Sequence, residues 1–135
     1  MVDRYDKETR SKIMSSIKSK DTKPEIYVRK KLFMSGYRYS LHKKDLPGTP
    51  DIFLNKYNTA IQVRGCFWHN HGCPIGHIPS SNLRFWKSKL LNNKKRDEIN
   101  DRKIKKMKIK LFVLWECRLE KDLKKVLRYL LLNKF

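Results

Sequence analysis

Residues 50–65 read PDIFLNKYNTAIQVRG. Two runs rich in aliphatic, β-branched and aromatic residues, 51–54 and 59–64, flank the polar tetrad Asn55-Lys56-Tyr57-Asn58, the pattern of a β-hairpin. A loop centred on 56–57 pairs positions whose numbers sum to about 113, so Asp51 faces Gln62 or its neighbour Val63. Leu46-Pro47-Gly48-Thr49-Pro50 is a turn-rich approach to the first strand.

Working outward, the N-terminal side predicts a helix over about 6–19 with Ile13, Met14 and Ile17 on one side. A second helix starts near Thr22, because Thr22-Lys23-Pro24-Glu25 has capping-box spacing with proline in the first turn. It runs to Met34 and stops at Gly36, and a short strand over 37–40 follows. On the C-terminal side, residues 65–79 read as a loop and 83–103 as a long helix. KIKLFVLWEC, inside a strand predicted over 106–117, is too continuously apolar for a surface strand and reads as a central strand covered on both faces. A last helix, 120–132, should bury Leu123, Val126, Leu127, Leu130 and Leu131. The order ααβββαβα predicts an α/β fold, a mixed sheet with helices packed against it, in one domain of 135 residues.

The charge balance points to the partner. Thirty-three Lys+Arg stand against 13 Asp+Glu, a formal net charge of +20, which favours a polyanion such as nucleic acid over a small metabolite. Residues 1–45 carry a net +7 and residues 83–135 a net +12, whereas residues 46–82 hold only Lys56, Arg64 and Asp51, a net +1. A chemical centre between two basic flanks is the arrangement this implies. No apolar run approaches the roughly 18 residues of a membrane span. The start, MVDRYDKETR, lacks the apolar stretch of a secretory signal. Three cysteines, Cys66, Cys73 and Cys117, fit no disulfide framework, and a cytosolic chain would use them for metal.

Gly65-Cys66-Phe67-Trp68-His69-Asn70-His71-Gly72-Cys73 concentrates two thiols and two imidazoles within eight residues. Tetrahedral zinc takes four Cys and His ligands; Cys66, His69, His71, Cys73 and Cys117 offer five, which leaves one imidazole for other work. Asp51 opens a strand opposite Gln62-Val63-Arg64, an acid facing a polar triplet as in metal-dependent nucleases, where Mg²⁺ takes oxygen ligands. On the long helix Leu83, Trp86, Leu90, Asn93, Asp97 and Ile104 share a face, so Asp97 interrupts an inward apolar stripe and needs a partner. Arg96 and Arg102 point elsewhere on the wheel; a loop histidine is the alternative. Glu25 is explained by its capping box. Phe67 and Trp68 sit in a loop where base stacking or wedging would use them, and Trp86 fits either that role or the core. His42 and His77 look like surface residues.

These motifs together resemble the Vsr family, the very short patch repair endonucleases. The resemblance covers nearly the whole chain: Arg10-Ser11, Met14, Ile17, Asp21-Thr22 and Glu25; Leu46 to Asp51; Gly65 to His69 with His71 and Cys73; Phe85-Trp86; Arg96-Asp97; and Trp115-Glu116-Cys117. It implies a restriction-endonuclease-like mixed sheet flanked by helices, with a structural zinc held by Cys66, His71, Cys73 and Cys117. It implies Mg²⁺-dependent, strand-specific nicking of duplex DNA 5′ of the thymine in T:G mismatches left by 5-methylcytosine deamination. Asp51 and the Val63 backbone carbonyl would bind Mg²⁺, His69 would activate water with Asp97 orienting it, and Glu25 would assist through waters at the metal. Met14, Phe67, Trp68 and Trp86 resemble the family's DNA-contacting residues. Residues 1–20 would be a DNA-contacting helix and 21–135 the nuclease core. The resemblance further implies a cytoplasmic bacterial monomer that acts on mismatched double-stranded DNA, with no membrane, alongside mismatch-repair proteins and linked to a DNA cytosine methyltransferase.

Arg64 departs from the pattern, since a related enzyme has a catalytically useful histidine there; arginine cannot share a proton but can bind DNA phosphate. Two other readings follow from the same residues. One is an endonuclease of this fold with another mismatch or site preference; the other is a non-catalytic zinc module that binds nucleic acid, which leaves Asp51 and Asp97 without a reason.

Overall fold

The computed structural model describes residues 21–69, 71, 73 and 80–133. The predicted first helix, with Met14, and His77 lie outside them. Helix α1, Lys23–Met34, is capped by Thr22, whose Oγ1 accepts from Glu25 N–H at 3.4 Å. Glu25 reaches back past the cap to Asp21 N–H at 2.9 Å, so the capping box closes one residue early. Gly36 ends the helix at φ +92°, a conformation only glycine takes without strain.

Three antiparallel strands follow in sequence: β1 Ser40–Leu41, β2 Ile52–Leu54 and β3 Thr59–Arg64. The pairs Ile52–Ile61, Phe53–Ala60 and Leu54–Thr59 have the register expected from the loop. Helix α2, Leu83–Lys106, is the crossover to β4, Lys110–Trp115, which lies parallel to β3. A short 3₁₀ turn then leads into α3, Leu119–Leu132. Among the described residues the result is a mixed α/β fold around a four-stranded sheet ordered β1-β2-β3-β4.

Period-two alternation divides the core between the two faces of the sheet. Ile52, Leu54, Ile61, Val63 and Leu114 point toward Val28 and Leu32 of α1 and Leu123, Val126 and Leu130 of α3. Phe53 and Ala60 point the other way, toward Ile104 of α2 and Ile109. Each fully buried leucine contributes about 2 kcal/mol of transfer free energy. All six residues of β3 and all three of β2 are buried, so these two interior strands are the covered ones.

Three expectations need correction. β4 is an edge of this sheet, not its centre. Its apolar run is real because Leu111 packs toward α2 and Leu114 toward α3; covering both faces produces that pattern whether or not a strand has two neighbours. β1 falls at Ser40–Leu41, later than 37–40, because it pairs with Phe53 and Ile52. Leu131 is 65% exposed, since it lies about 100° off the stripe formed by Leu123, Val126 and Leu130.

Candidate active site and metal centre

The site gathers where β2 begins and β3 ends. Pro47 to Pro50 fold back so that Gly48, at φ +76°, comes within 3.1 Å of Asn100 Cβ for any added methyl. Gln62 Nε2 donates to Gly48 O at 3.0 Å and fastens this turn to β3. Thr49 takes φ +45°, a strained choice for a β-branched residue, just before Asp51. Asp51 is mostly buried, and its Oδ2 accepts from Val63 N–H at 2.7 Å. Burial pushes its carboxyl up to about 6; the Val63 hydrogen bond opposes this, the Glu25 charge adds to it, and His42 and His69 oppose it. In an extended strand a residue's N–H and C=O point to the same side, so Val63 C=O faces the Asp51 edge as well. That convergence of oxygens, with one hydrogen bond to the carboxylate among the described residues, fits a hard cation.

The loop after β3 winds back on itself: His69 N–H donates to Gly65 O at 3.2 Å and His71 N–H to Cys66 O at 3.0 Å. Successive side chains therefore leave in different directions. His69 Nδ1 lies 2.5 Å from Asp97 Oδ2 on α2, so the inward carboxylate has a loop histidine as its partner. A carboxylate only accepts, which places the proton on Nδ1 and leaves Nε2 as the basic nitrogen. One turn earlier, Asn93 Nδ2 donates to Trp68 O at 3.1 Å and pins the loop to the helix.

His71 leaves on the other side. Its ring stacks on Trp115 with centroids 3.9 Å apart and planes 6° apart, and its Nδ1 lies 3.4 Å from Cys117 Sγ. A sulfur and a nitrogen on tetrahedral zinc lie about 3.5 Å apart. Cys66, His71, Cys73 and Cys117 place their ligand atoms within 4.8 Å of one another. Burial, then the neighbouring Cys73 and Cys117 thiols, pushes Cys66 up to about 12. A cation joining these four donors would favour the thiolate form of the cysteines, and the donor set suits zinc. Of the five sequence candidates, the structure thus groups four and pairs His69 with Asp97 instead.

The aromatic residues singled out as DNA contacts, Phe67, Trp68 and Trp86, form one cluster. Phe67 and Trp68, half-buried, lie edge-on to Trp86 at 5.4 and 6.1 Å. Trp86 is buried and forms the floor, while Phe85, edge-on to it at 5.1 Å, is 56% exposed. Arg64 is buried, and its guanidinium forks onto Asp101 at 2.6 and 3.0 Å.

Sequence reasoning missed Asp101 and His42. Asp101 stands four residues after Asp97 on the same helix face, a spacing that could have found it. His42, read as a surface residue, lies 3.3 Å from Asp21 Oδ1. With Glu25 these groups form a second set of possible metal donors, but Arg29 Nη2 already sits among them, 2.5 Å from Asp21, 3.1 Å from Glu25 and 3.2 Å from His42. Its hydrogen bond, then that of His42, holds the Asp21 carboxyl below the ordinary range. Nothing in the spacing of His42 marked it.

A strongly basic chain that sets a histidine–carboxylate pair and a half-buried aspartate at the end of a mixed sheet has the residue types a nuclease uses. Residues 2–75 match the family model described as DNA mismatch endonuclease Vsr. The chain is 46% identical over 120 residues to the type II nicking enzyme V.NmeAIP of Neisseria meningitidis, covering 89% of this chain and 86% of that one. It is 43% identical to the type II nicking enzyme V.XorIIP of Xanthomonas oryzae, over 88% of each chain. To the DNA mismatch endonuclease Vsr of Escherichia coli it is 34% identical, over 88% of this chain and 76% of the relative. The protein belongs to the Vsr family and is a DNA endonuclease.

Proposed function

We propose that this endonuclease nicks one strand of duplex DNA on the 5′ side of the thymine in T:G mismatches, with Mg²⁺ at Asp51 and a structural zinc at the cysteines. The observation that carries the reading is the His69–Asp97 pair, held just beyond the end of β3, where Val63 N–H reaches Asp51. Asp51 and the Val63 carbonyl would hold Mg²⁺, which supplies a Lewis acid for the phosphate when bound. His69 Nε2 takes the proton of the attacking water, and Asp97 holds the imidazole in the tautomer that permits this. Glu25 orders water beside Asp51. Cys66, His71, Cys73 and Cys117 would hold zinc, tying the catalytic loop to the end of β4.

The basic flanks grip phosphates, with a steep salt dependence. Phe67 and Trp68, on their Trp86 floor, enter the stack at the mismatch together with Met14. The fold is read as restriction-endonuclease-like, with residues 21–135 the nuclease core of a single domain. The enzyme is read as a cytoplasmic monomer, working with mismatch-repair proteins behind a DNA cytosine methyltransferase. Among the described residues no helix is long and apolar enough to cross a membrane.

The test compares T:G, other mismatched and fully paired duplexes, each strand end-labelled, with and without Mg²⁺. Nicking of the thymine strand alone, only in the T:G duplex and only with Mg²⁺, is expected. Equal nicking of another mismatch would favour the reading with a different site preference.

A further inference from the structure

Arg64 ends β3, and Asp101 stands one turn beyond Asp97 on α2. Arg64 Nη1 donates to Asp101 Oδ2 at 3.0 Å and Nη2 to Asp101 Oδ1 at 2.6 Å, a two-point fork that fixes the guanidinium plane. Held in this way, Arg64 Nε lies 4.0 Å from Asp97 Oδ2. That oxygen is the one paired with His69 Nδ1. Two carboxylates four residues apart on a helix repel each other. A guanidinium between them offsets both charges and leaves Asp97 one stable position. The Arg64 side chain is 8% exposed and its fork is committed to Asp101, so it is poorly placed to seize a DNA phosphate, the role its charge alone had indicated.

We infer that Arg64 and Asp101 are positioning residues for the His69–Asp97 pair: their fork anchors a positive charge beside Asp97 and holds its Oδ2 on His69 Nδ1. This rests on the reading of His69 as the general base. It extends the catalytic apparatus by two side chains, and neither needs to touch DNA.

The experiment is a double-mutant cycle on a duplex that the wild-type enzyme nicks, with single-turnover rate, DNA affinity and its salt dependence measured for the zinc-loaded full chain. Asp101→Asn should slow nicking about tenfold or more, with Kd within about twofold and an unchanged salt slope. In a His69→Ala background, already slowed about 10²–10⁴-fold, the same change should cost less than about twofold, because no imidazole remains to be positioned. Arg64→Lys should retain more rate than Arg64→Gln. Arg64→Gln leaves two carboxylates unopposed and can fail to fold, so Asp101→Asn, a near-isosteric change on a partly exposed helix position, carries the decision. An equal loss from Asp101→Asn in both backgrounds would make the fork mere scaffold and overturn the inference. A raised Kd with a salt slope flattened by about one in a folded Arg64→Lys or Arg64→Gln protein would make Arg64 a phosphate ligand and overturn it too. His69→Ala that nicks at the wild-type rate would bring down the general-base reading itself, a separate and visible result.

Discussion

Replacing Asp51 by asparagine is expected to stabilise the protein while abolishing nicking, and the stabilisation should depend on pH. Burial raises the Asp51 carboxyl from 3.8 to about 6. At 1.36 kcal/mol per tenfold in proton affinity this is worth about 3 kcal/mol, and about 2–3 kcal/mol once partial solvation of the group is allowed for. Between pH 3.8 and about 6 the folded chain binds more protons here than the unfolded chain. Asp51 therefore favours the fold fully below pH 3.8, and that contribution is lost as pH rises through about 6. Asparagine has no charge to desolvate and keeps an oxygen for Val63 N–H. In Mg²⁺-free buffer the variant should nearly match wild type at pH 4 and melt roughly 7–10 °C higher at pH 8, at about 2.1 cal/mol/K of unfolding entropy per residue. Mg²⁺ should then raise the Tm of wild type and not that of the variant. Nicking should fall by several orders of magnitude while mismatch binding survives or improves, because the basic flanks and aromatic cluster are untouched. Equal melting at pH 8, or a difference that ignores pH, would refute the desolvated carboxylate; nicking near the wild-type rate would place the metal elsewhere.

Cys117→Ala should lower zinc content and melting temperature together, because a structural metal is bound with the folding free energy; soluble, folded wild-type protein without zinc by metal analysis would end that reading. His69→Ala should lose nicking by about 10²–10⁴-fold yet keep its zinc, whereas His71→Ala should lose zinc first and solubility after; the reverse pattern would exchange the roles of the two imidazoles. Thr49→Gly removes a β-branched residue from φ +45°, so calorimetry should show a gain of about 0.5 kcal/mol after the greater backbone entropy of glycine is charged.

The hairpin was the most legible part of the chain. Its register follows from the polar tetrad and the alternation around it, and the same count brings Asp51 to Val63. The Asp97 partner was legible as a need, since a carboxylate on an inward stripe must pair, and His69 meets that need. The place of β4 was not legible, because a strand's side chains record what covers its faces and nothing about its edges. The partner of Arg64 was not legible for a related reason: its charge was visible, but Asp101, onto which it forks, lies 37 residues away. The cluster of Arg29 with Asp21, Glu25 and His42 is tertiary in the same sense, joining α1 to the turn after β1.

The winding of the loop after β3 has a consequence for how such enzymes diverge. Phe67 and Trp68 belong to the aromatic cluster, His69 to the carboxylate pair, and Cys66, His71 and Cys73 to the thiol group, so three tasks alternate within eight residues. A substitution or a single-residue insertion there disturbs more than one task at once, and selection cannot improve one without testing the others. The segment should behave as an inherited block. Changes tolerated one at a time should then gather elsewhere, in surfaces that can vary singly, and exchanging the whole loop with that of a relative should be better tolerated than exchanging part of it.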